Sequence, residues 1–168
     1  MRCLTCDHIP GENQPRHRCP ASVAAVSVPD DLVGKALAAR QRAYAPYSRF
    51  LVGAALLCDD GTVIEGCNVE NASYGLCICA ERTAVAAAVA GGRRHFKAIA
   101  IATAASPPAA PCGMCRQVLA EFLSGDGDDL DIALVNDRGE RSDTTLRAIF
   151  PGIFDIKQLA SGQGGETP

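Results

Sequence analysis

The sequence predicts an α/β fold, a sheet with helices packed on its faces. Three observations point there. Two short β-type runs are followed by helix, strand, helix and strand, the alternation that wraps a sheet in helices. Residues 96–103 (FKAIAIAT) are apolar at both alternating sets of positions, as in a strand buried on both sides. Finally, 168 residues, 48% of them hydrophobic, suffice for one domain with a real core and are too few for two comfortable ones.

Residues 1–28 hold Pro10, Pro15 and Pro20, with Pro29 directly after them, and have little periodicity; they are expected to form a disordered extension, with the folded domain spanning 29–159. From Asp30 the pattern becomes helical. Leu32, Val33, Ala36 and Leu37 recur on one face, with Asp30 or Asp31 expected as the cap, and Tyr44-Ala45-Pro46-Tyr47 ends the run. Residues 52–58 and 62–69 read as antiparallel strands joined by Asp59-Asp60-Gly61. Residues 80–90 and 113–122 are rich in good helix formers and end near Gly91-Gly92 and Ser124-Gly125. Residues 96–103 supply the third strand and 130–136 a fourth. Asp137-Arg138-Gly139 turns into a short fifth, and a last helix over 144–150 stops at Pro151-Gly152. Residues 160–168 read as a frayed tail.

Sixteen basic residues against nineteen acids, for a net charge of −3, describe a soluble protein without the cationic tracks of a nucleic-acid binder. No stretch reaches the roughly 20 apolar residues a membrane helix needs. Residues 21–28 follow Arg16-His17-Arg18 but lack a convincing cleavage site and stop at Pro29, so export is rejected. Nine cysteines, an odd number, fit a reducing cytoplasm better than a disulfide scaffold. Cys3, Cys6, His8, His17 and Cys19 could hold a second metal, but only Cys3 and Cys6 have a familiar ligand spacing; a flexible tail is the simpler reading.

Chemistry concentrates in Cys79-Ala80-Glu81 and Pro111-Cys112-Gly113-Met114-Cys115. Cys79, Cys112 and Cys115 have zinc-ligand spacing, and a catalytic zinc takes three ligands from the protein and leaves a fourth position open. Each cluster sits at a predicted helix start, where unpaired N–H groups and the helix dipole favour thiolate. Three thiolates leave a divalent ion anionic and less acidic. Arg82 and Arg116 are therefore expected to donate to the ligand sulfurs, unless they are ordinary solvated helix arginines. Glu81, beside the ligands but outside their set, is placed to take a proton from water and pass it to a substrate nitrogen. Cys58, Cys67 and Cys77 read as small apolar fillers, with Cys77 near enough to Cys79 to be considered as a ligand.

These motifs match the zinc-deaminase signature in its all-cysteine version. Together with Tyr44-Ala45-Pro46-Tyr47-Ser48-Arg49-Phe50, Val52-Gly53-Ala54-Ala55 and Gly66-Cys67-Asn68-Val69-Glu70-Asn71, they resemble the short, homotetrameric cytidine deaminases. The resemblance implies a three-layer α/β/α sandwich around a five-stranded mixed sheet. It implies one zinc per chain and hydrolytic deamination of cytidine and 2′-deoxycytidine in pyrimidine salvage, with hydroxide attacking C4 and Glu81 protonating N3. By the same resemblance the Ala80 N–H holds the pyrimidine O2, Phe50 packs on the base, and Asn68 with Glu70 holds the ribose 3′-hydroxyl. Phe154 of one subunit would close over a neighbour's base and Tyr74 would reach the sugar's 5′ end. Plainer readings exist for several of these: Phe50 or Phe154 as core, and Asn68 with Glu70 as a solvated strand end. Competing functions are zinc deamination of a polynucleotide base, a nucleotide or a nucleoside antibiotic, and a structural zinc module in which Cys77 completes the ligand set.

Overall fold

The computed structural model describes residues 28–125 and 127–155. The predicted extension up to residue 27, with Cys3, Cys6, His8, His17 and Cys19, and the predicted tail over 160–168 lie outside the described residues. Val28, the last residue assigned to the extension, is buried against the first helix, and its carbonyl accepts from Arg141 Nη2 at 2.7 Å.

The elements are α1 (Asp30–Arg40), β1 (Gly53–Cys58), β2 (Val63–Cys67), α2 (Ala80–Ala90), β3 (Phe96–Thr103), α3 (Gly113–Ala120), β4 (Asp131–Asn136), β5 (Arg141–Thr145) and α4 (Leu146–Ile149). The strands form one mixed sheet in the order β2-β1-β3-β4-β5. Only β3 and β4 run parallel, and α3 lies in the connection between them, as a parallel pair requires. Leu32 and Ala36 of α1 pack on Ala55, Ala98, Ala100 and Ala133 on one side of the sheet. On the other, Ala84 and Val85 of α2 and Leu119 of α3 pack on Leu56, Ile99, Ile101 and Ile132. The α/β class and the layered sheet of five strands stand as expected.

The last helix is shorter than the expected 144–150, because Thr144 and Thr145 pair in β5, and three further boundaries differ from the sequence reading for a local reason. Pro29, not an aspartate, occupies the N-cap of α1; Asp30 and Asp31 fall in the first turn, where their charge complements the helix dipole. α3 ends at Ala120, because Phe122 and Leu123 turn their amides back to Leu119 and Ala120 in tight i→i−3 bonds. β2 stops at Cys67, and beyond it Val69 makes only isolated bridges with Tyr44 and Ile78.

Two glycines let helix backbones touch the sheet. A Cβ on Gly53 would lie 2.1 Å from the Ala36 carbonyl of α1, and one on Gly66 would lie 2.5 Å from the Ala80 carbonyl of α2. Any side chain there meets rigid backbone. Gly66 therefore seats the first turn of α2 directly on β2, and that turn carries Ala80 and Glu81.

Candidate active site

Cys79 and Cys112 occupy equivalent places. Each is the extended N-cap residue of its helix, and neither makes a side-chain capping bond, so the first-turn N–H groups of α2 and α3 keep their electropositive character. Cys115 lies one turn into α3, fully buried. All three sulfurs lie within 4.8 Å of one another, with Cys79 to Cys112 at 4.0 Å and Cys112 to Cys115 at 3.6 Å. Tetrahedral zinc with Zn–S of about 2.3 Å needs sulfurs about 3.8 Å apart. The donor set fits zinc in identity, number and spacing.

Arg82 donates through Nη2 to the Cys77 carbonyl at 2.9 Å and to the Cys79 sulfur at 3.7 Å, while its Nε is buried without a partner. Arg116 departs from expectation. It donates to the Pro111 carbonyl at 2.7 Å and the Ile149 carbonyl at 2.6 Å, so it braces the backbone before Cys112 against α4 and not the sulfurs. The Cys79 thiol is drawn down to about 5 by hydrogen bonding with Cys115 and then by the Arg82 guanidinium, against the opposing effect of burial. Cys115 is correspondingly pushed up, by that same shared proton, by burial and by the Glu81 charge. Cys77 is occupied elsewhere: its sulfur accepts from Asn71 N at 3.3 Å, and it is not one of the three clustered thiols.

Glu81 is only 4% exposed. Burial raises its carboxyl above the ordinary range, with the Cys79 charge adding to the effect; its own backbone N–H, the Cys115 thiol and Arg82 pull the other way. Its side chain lines a cleft of about 380 Å³ together with Cys79, Cys112, Phe50, Asn68 and Glu70. A buried carboxyl, two of the three clustered thiols and several further polar groups thus share one cavity of the size small-molecule sites occupy. Ile101, Thr103, Ala109 and Ala110 close its apolar side.

Asn68 and Glu70 both reach this cleft from beyond the end of β2. Asn68 Oδ1 accepts from Val52 N at 2.8 Å and its Nδ2 donates to the Phe50 carbonyl at 2.9 Å. Glu70 accepts from the amides of Tyr47 and Ser48 at 2.9 and 3.2 Å and from the Ser48 hydroxyl. Ala80 is buried at the start of α2. Tyr74 and Phe154 are not among the lining residues: they are 74% and 53% exposed. Tyr74 packs edge-on against Tyr47 beside a smaller adjoining cleft, and the Phe154 carbonyl accepts from Gln117 Nε2 at 2.8 Å.

A family model described as the cytidine and deoxycytidylate deaminase zinc-binding region matches residues 27–126, a stretch that includes all three clustered thiols and Glu81. A cytidine deaminase from Sporosarcina psychrophila is 45% identical over 131 residues, covering 78% of this chain and 94% of that protein. This chain belongs to the cytidine deaminase family. A cytidine deaminase from Halalkalibacterium halodurans is 48% identical over 128 residues, 76% of this chain and 95% of its own. The crystal structure of a cytidine deaminase from Burkholderia pseudomallei, 48% identical, superposes with a TM-score of 0.71 over 76% of this chain and 100% of that one.

Against this family background, the residue the sequence reading passed over is Ser48. It sits inside the Tyr44–Phe50 motif and lines both clefts. A signal was present: a serine two residues before Phe50 in a loop is the pattern of a side chain turning back to an i+2 amide, and Phe50 N does donate to Ser48 Oγ at 3.0 Å. Nothing in the sequence pairs Ser48 with Glu70 across the intervening hairpin.

Proposed function

We propose that this chain hydrolyses cytidine and 2′-deoxycytidine to uridine and 2′-deoxyuridine with release of ammonia, a step of pyrimidine salvage. We further propose that it works in the cytoplasm as a homotetramer with one zinc per chain. The observation that carries the reading is a buried carboxylate, Glu81, in the same cleft as Cys79, Cys112, Phe50, Asn68 and Glu70. Cys79, Cys112 and Cys115 hold the metal. When bound, zinc supplies the Lewis acidity that makes hydroxide available near neutral pH.

Glu81 then moves the protons. It accepts one from the attacking water and delivers it to N3 of the pyrimidine as the water oxygen bonds to C4; it carries the second to the exocyclic amine, which leaves as ammonia. The oxygen stays on C4, one proton stays on N3, and the other departs with nitrogen. A raised carboxyl suits a group that must both take and give a proton. The Ala80 N–H donates to O2, Phe50 packs on the base, and Asn68 uses its remaining amide proton, with Glu70, to hold the 3′-hydroxyl. Arg82 tempers the charge on the Cys79 sulfur. Arg116 steadies the segment before Cys112.

The tetramer is supported by exposed apolar side chains that one chain leaves uncovered, among them Leu76, Met114, Tyr74 and Phe154. In the assembly Phe154 closes over a neighbour's base and Tyr74 reaches the 5′ end of a neighbour's sugar. Among the described residues no helix is long and apolar enough to cross a membrane. The Glu70 carboxylate disfavours polynucleotides, whose 3′-phosphate it would repel.

The test is loss of cytidine absorbance by the purified protein, with zinc counted per chain. Glu81→Gln is expected to keep its zinc and lose activity on the order of 10³-fold. Full zinc occupancy in the wild type without turnover would refute the reading; a Glu81→Gln enzyme as fast as wild type would take Glu81 out of its role.

A further inference from the structure

Ser48 stands at the junction of two groups that the proposed function assigns to different halves of the substrate. Its hydroxyl has one proton and two acceptor lone pairs. The proton goes to Glu70 Oε1, and one lone pair accepts from Phe50 N at 3.0 Å. One side chain therefore ties the carboxylate on the sugar side to the backbone of the aromatic on the base side.

We propose that Ser48 is a positioning residue for nucleoside binding, fixing the Glu70 carboxylate and the Phe50 ring relative to each other. This rests on the reading that Glu70 holds the ribose 3′-hydroxyl and Phe50 the base.

The surrounding geometry points to the same role. Glu70 accepts three hydrogen bonds, from Tyr47 N, Ser48 N and Ser48 Oγ. An ionised carboxylate offers about four lone-pair sites, so one remains on Oε1 for a ligand hydroxyl, in a direction the other three determine. These bonds also hold the Glu70 carboxyl below its ordinary range, with the Ser48 hydroxyl as the largest contribution, so the group arrives as an acceptor. Phe50 is held at both ends of its backbone: its N–H goes to Ser48 and its carbonyl accepts from Asn68 Nδ2 at 2.9 Å.

Between Ser48 and Phe50, Arg49 has a φ of 59°, a left-handed conformation that side-chain-bearing residues adopt only when their surroundings impose it. Here the imposing contacts are those of Ser48, Glu70 and Asn68. The loop is thus preformed, so less ordering is left for the ligand to bring about.

The test compares wild type, Ser48→Ala, Ser48→Thr, Glu70→Gln and the Ser48→Ala/Glu70→Gln double variant on cytidine and on 3′-deoxycytidine. Ser48 is exposed, and zinc content and melting temperature are recorded for each variant to confirm folding. Ser48→Ala is expected to raise KM for cytidine on the order of 10-fold while kcat stays within about 2-fold, the signature of lost uniform binding. Its preference for cytidine over the 3′-deoxy compound should fall to that of Glu70→Gln, the double variant should lose no more, and Ser48→Thr should recover most of the preference by restoring the hydroxyl.

If Glu70→Gln abolishes the preference and Ser48→Ala leaves it intact, Ser48 has no positioning role and the proposal fails alone. If Glu70→Gln itself leaves the preference unchanged, the assignment of Glu70 to the sugar is wrong, and the proposal falls with it.

Discussion

The two faces of the sheet are built from the same strands and do different work. β3 alternates alanine with isoleucine: Ala98, Ala100 and Ala102 meet α1, while Ile99 and Ile101 belong to the side covered by α2 and α3. The alanines of β3, with Ala55 and Ala133, face α1, which comes down onto the sheet at Gly53, and that layer holds none of the clustered thiols. On the opposite side Leu56, Ile99, Ile101 and Ile132 pack against the helices, and at Gly66 the first turn of α2 comes down onto β2. Close approach on one face serves packing alone. On the other it is confined to the turn that carries Glu81.

The sharpest way to break this comparison is to add one methyl to each face. Gly53→Ala and Gly66→Ala both force a Cβ into helix backbone, and each is expected to cost about 3 kcal/mol or more. For a chain of this size that lowers the melting temperature by roughly 6–12 °C. Only Gly66→Ala should also impair the chemistry: measured per folded, zinc-loaded chain, its kcat/KM is expected to fall on the order of 100-fold, because displacing a reacting group by about 1 Å is enough for that. Gly53→Ala should stay within a few-fold of wild type. Equal specific activities for the two variants would mean that Gly66 is only a packing residue.

The same contrast explains what was legible before the structure. α2 and β3 match their predicted limits because their signals are local: a capping position and two glycines bound the helix, and a period of two runs unbroken through the strand. The three thiols were legible as well, since ligand spacing at two helix starts is written in the chain. What failed depends on direction. Arg82 is three residues from Cys79 and Arg116 four from Cys112, separations that both put two helix-start side chains on one face, so spacing does not tell the two arginines apart. Adjacency in sequence made Arg116 look like a partner of the sulfurs when geometry sends it to the Pro111 and Ile149 carbonyls. The strand reading of 62–69 failed at Asn68 for a related reason, since its side chain bonds the Phe50–Val52 backbone in place of a ladder. Ser48 escaped because its partner lies 22 residues away.

The two arginines therefore provide a second contrast of smaller effect. Arg82→Gln removes a donor from the Cys79 sulfur and, on the proposed ligand set, is expected to weaken zinc retention about 10- to 100-fold, read by competition with a chelator. Arg116→Gln breaks two bonds to backbone carbonyls and should lower stability by about 1.5–3 kcal/mol while leaving zinc affinity within a few-fold. If Arg116→Gln released zinc as readily as Arg82→Gln, the division of labour between them would be wrong.

The smallest effect isolates Glu81 from the metal. Its carboxyl is raised by burial, so in the metal-free protein the native state binds this proton more tightly than the unfolded chain does. The stability it contributes is then fully present below the unfolded carboxyl value of about 4.3, and is lost as pH rises through the higher folded value. Glu81→Gln, which stays neutral, escapes that loss. Metal-free Glu81→Gln is therefore expected to melt higher than metal-free wild type at neutral pH, with the gap closing as pH falls toward about 4.3. A gap that stays constant across the series would show that the raised carboxyl is not what separates them. A gap that closes would identify a carboxylate held on the α2 side at a cost in stability, in contrast to the buried charge of the α1 helix, Arg40, which is paired with Asp137 at 2.9 Å.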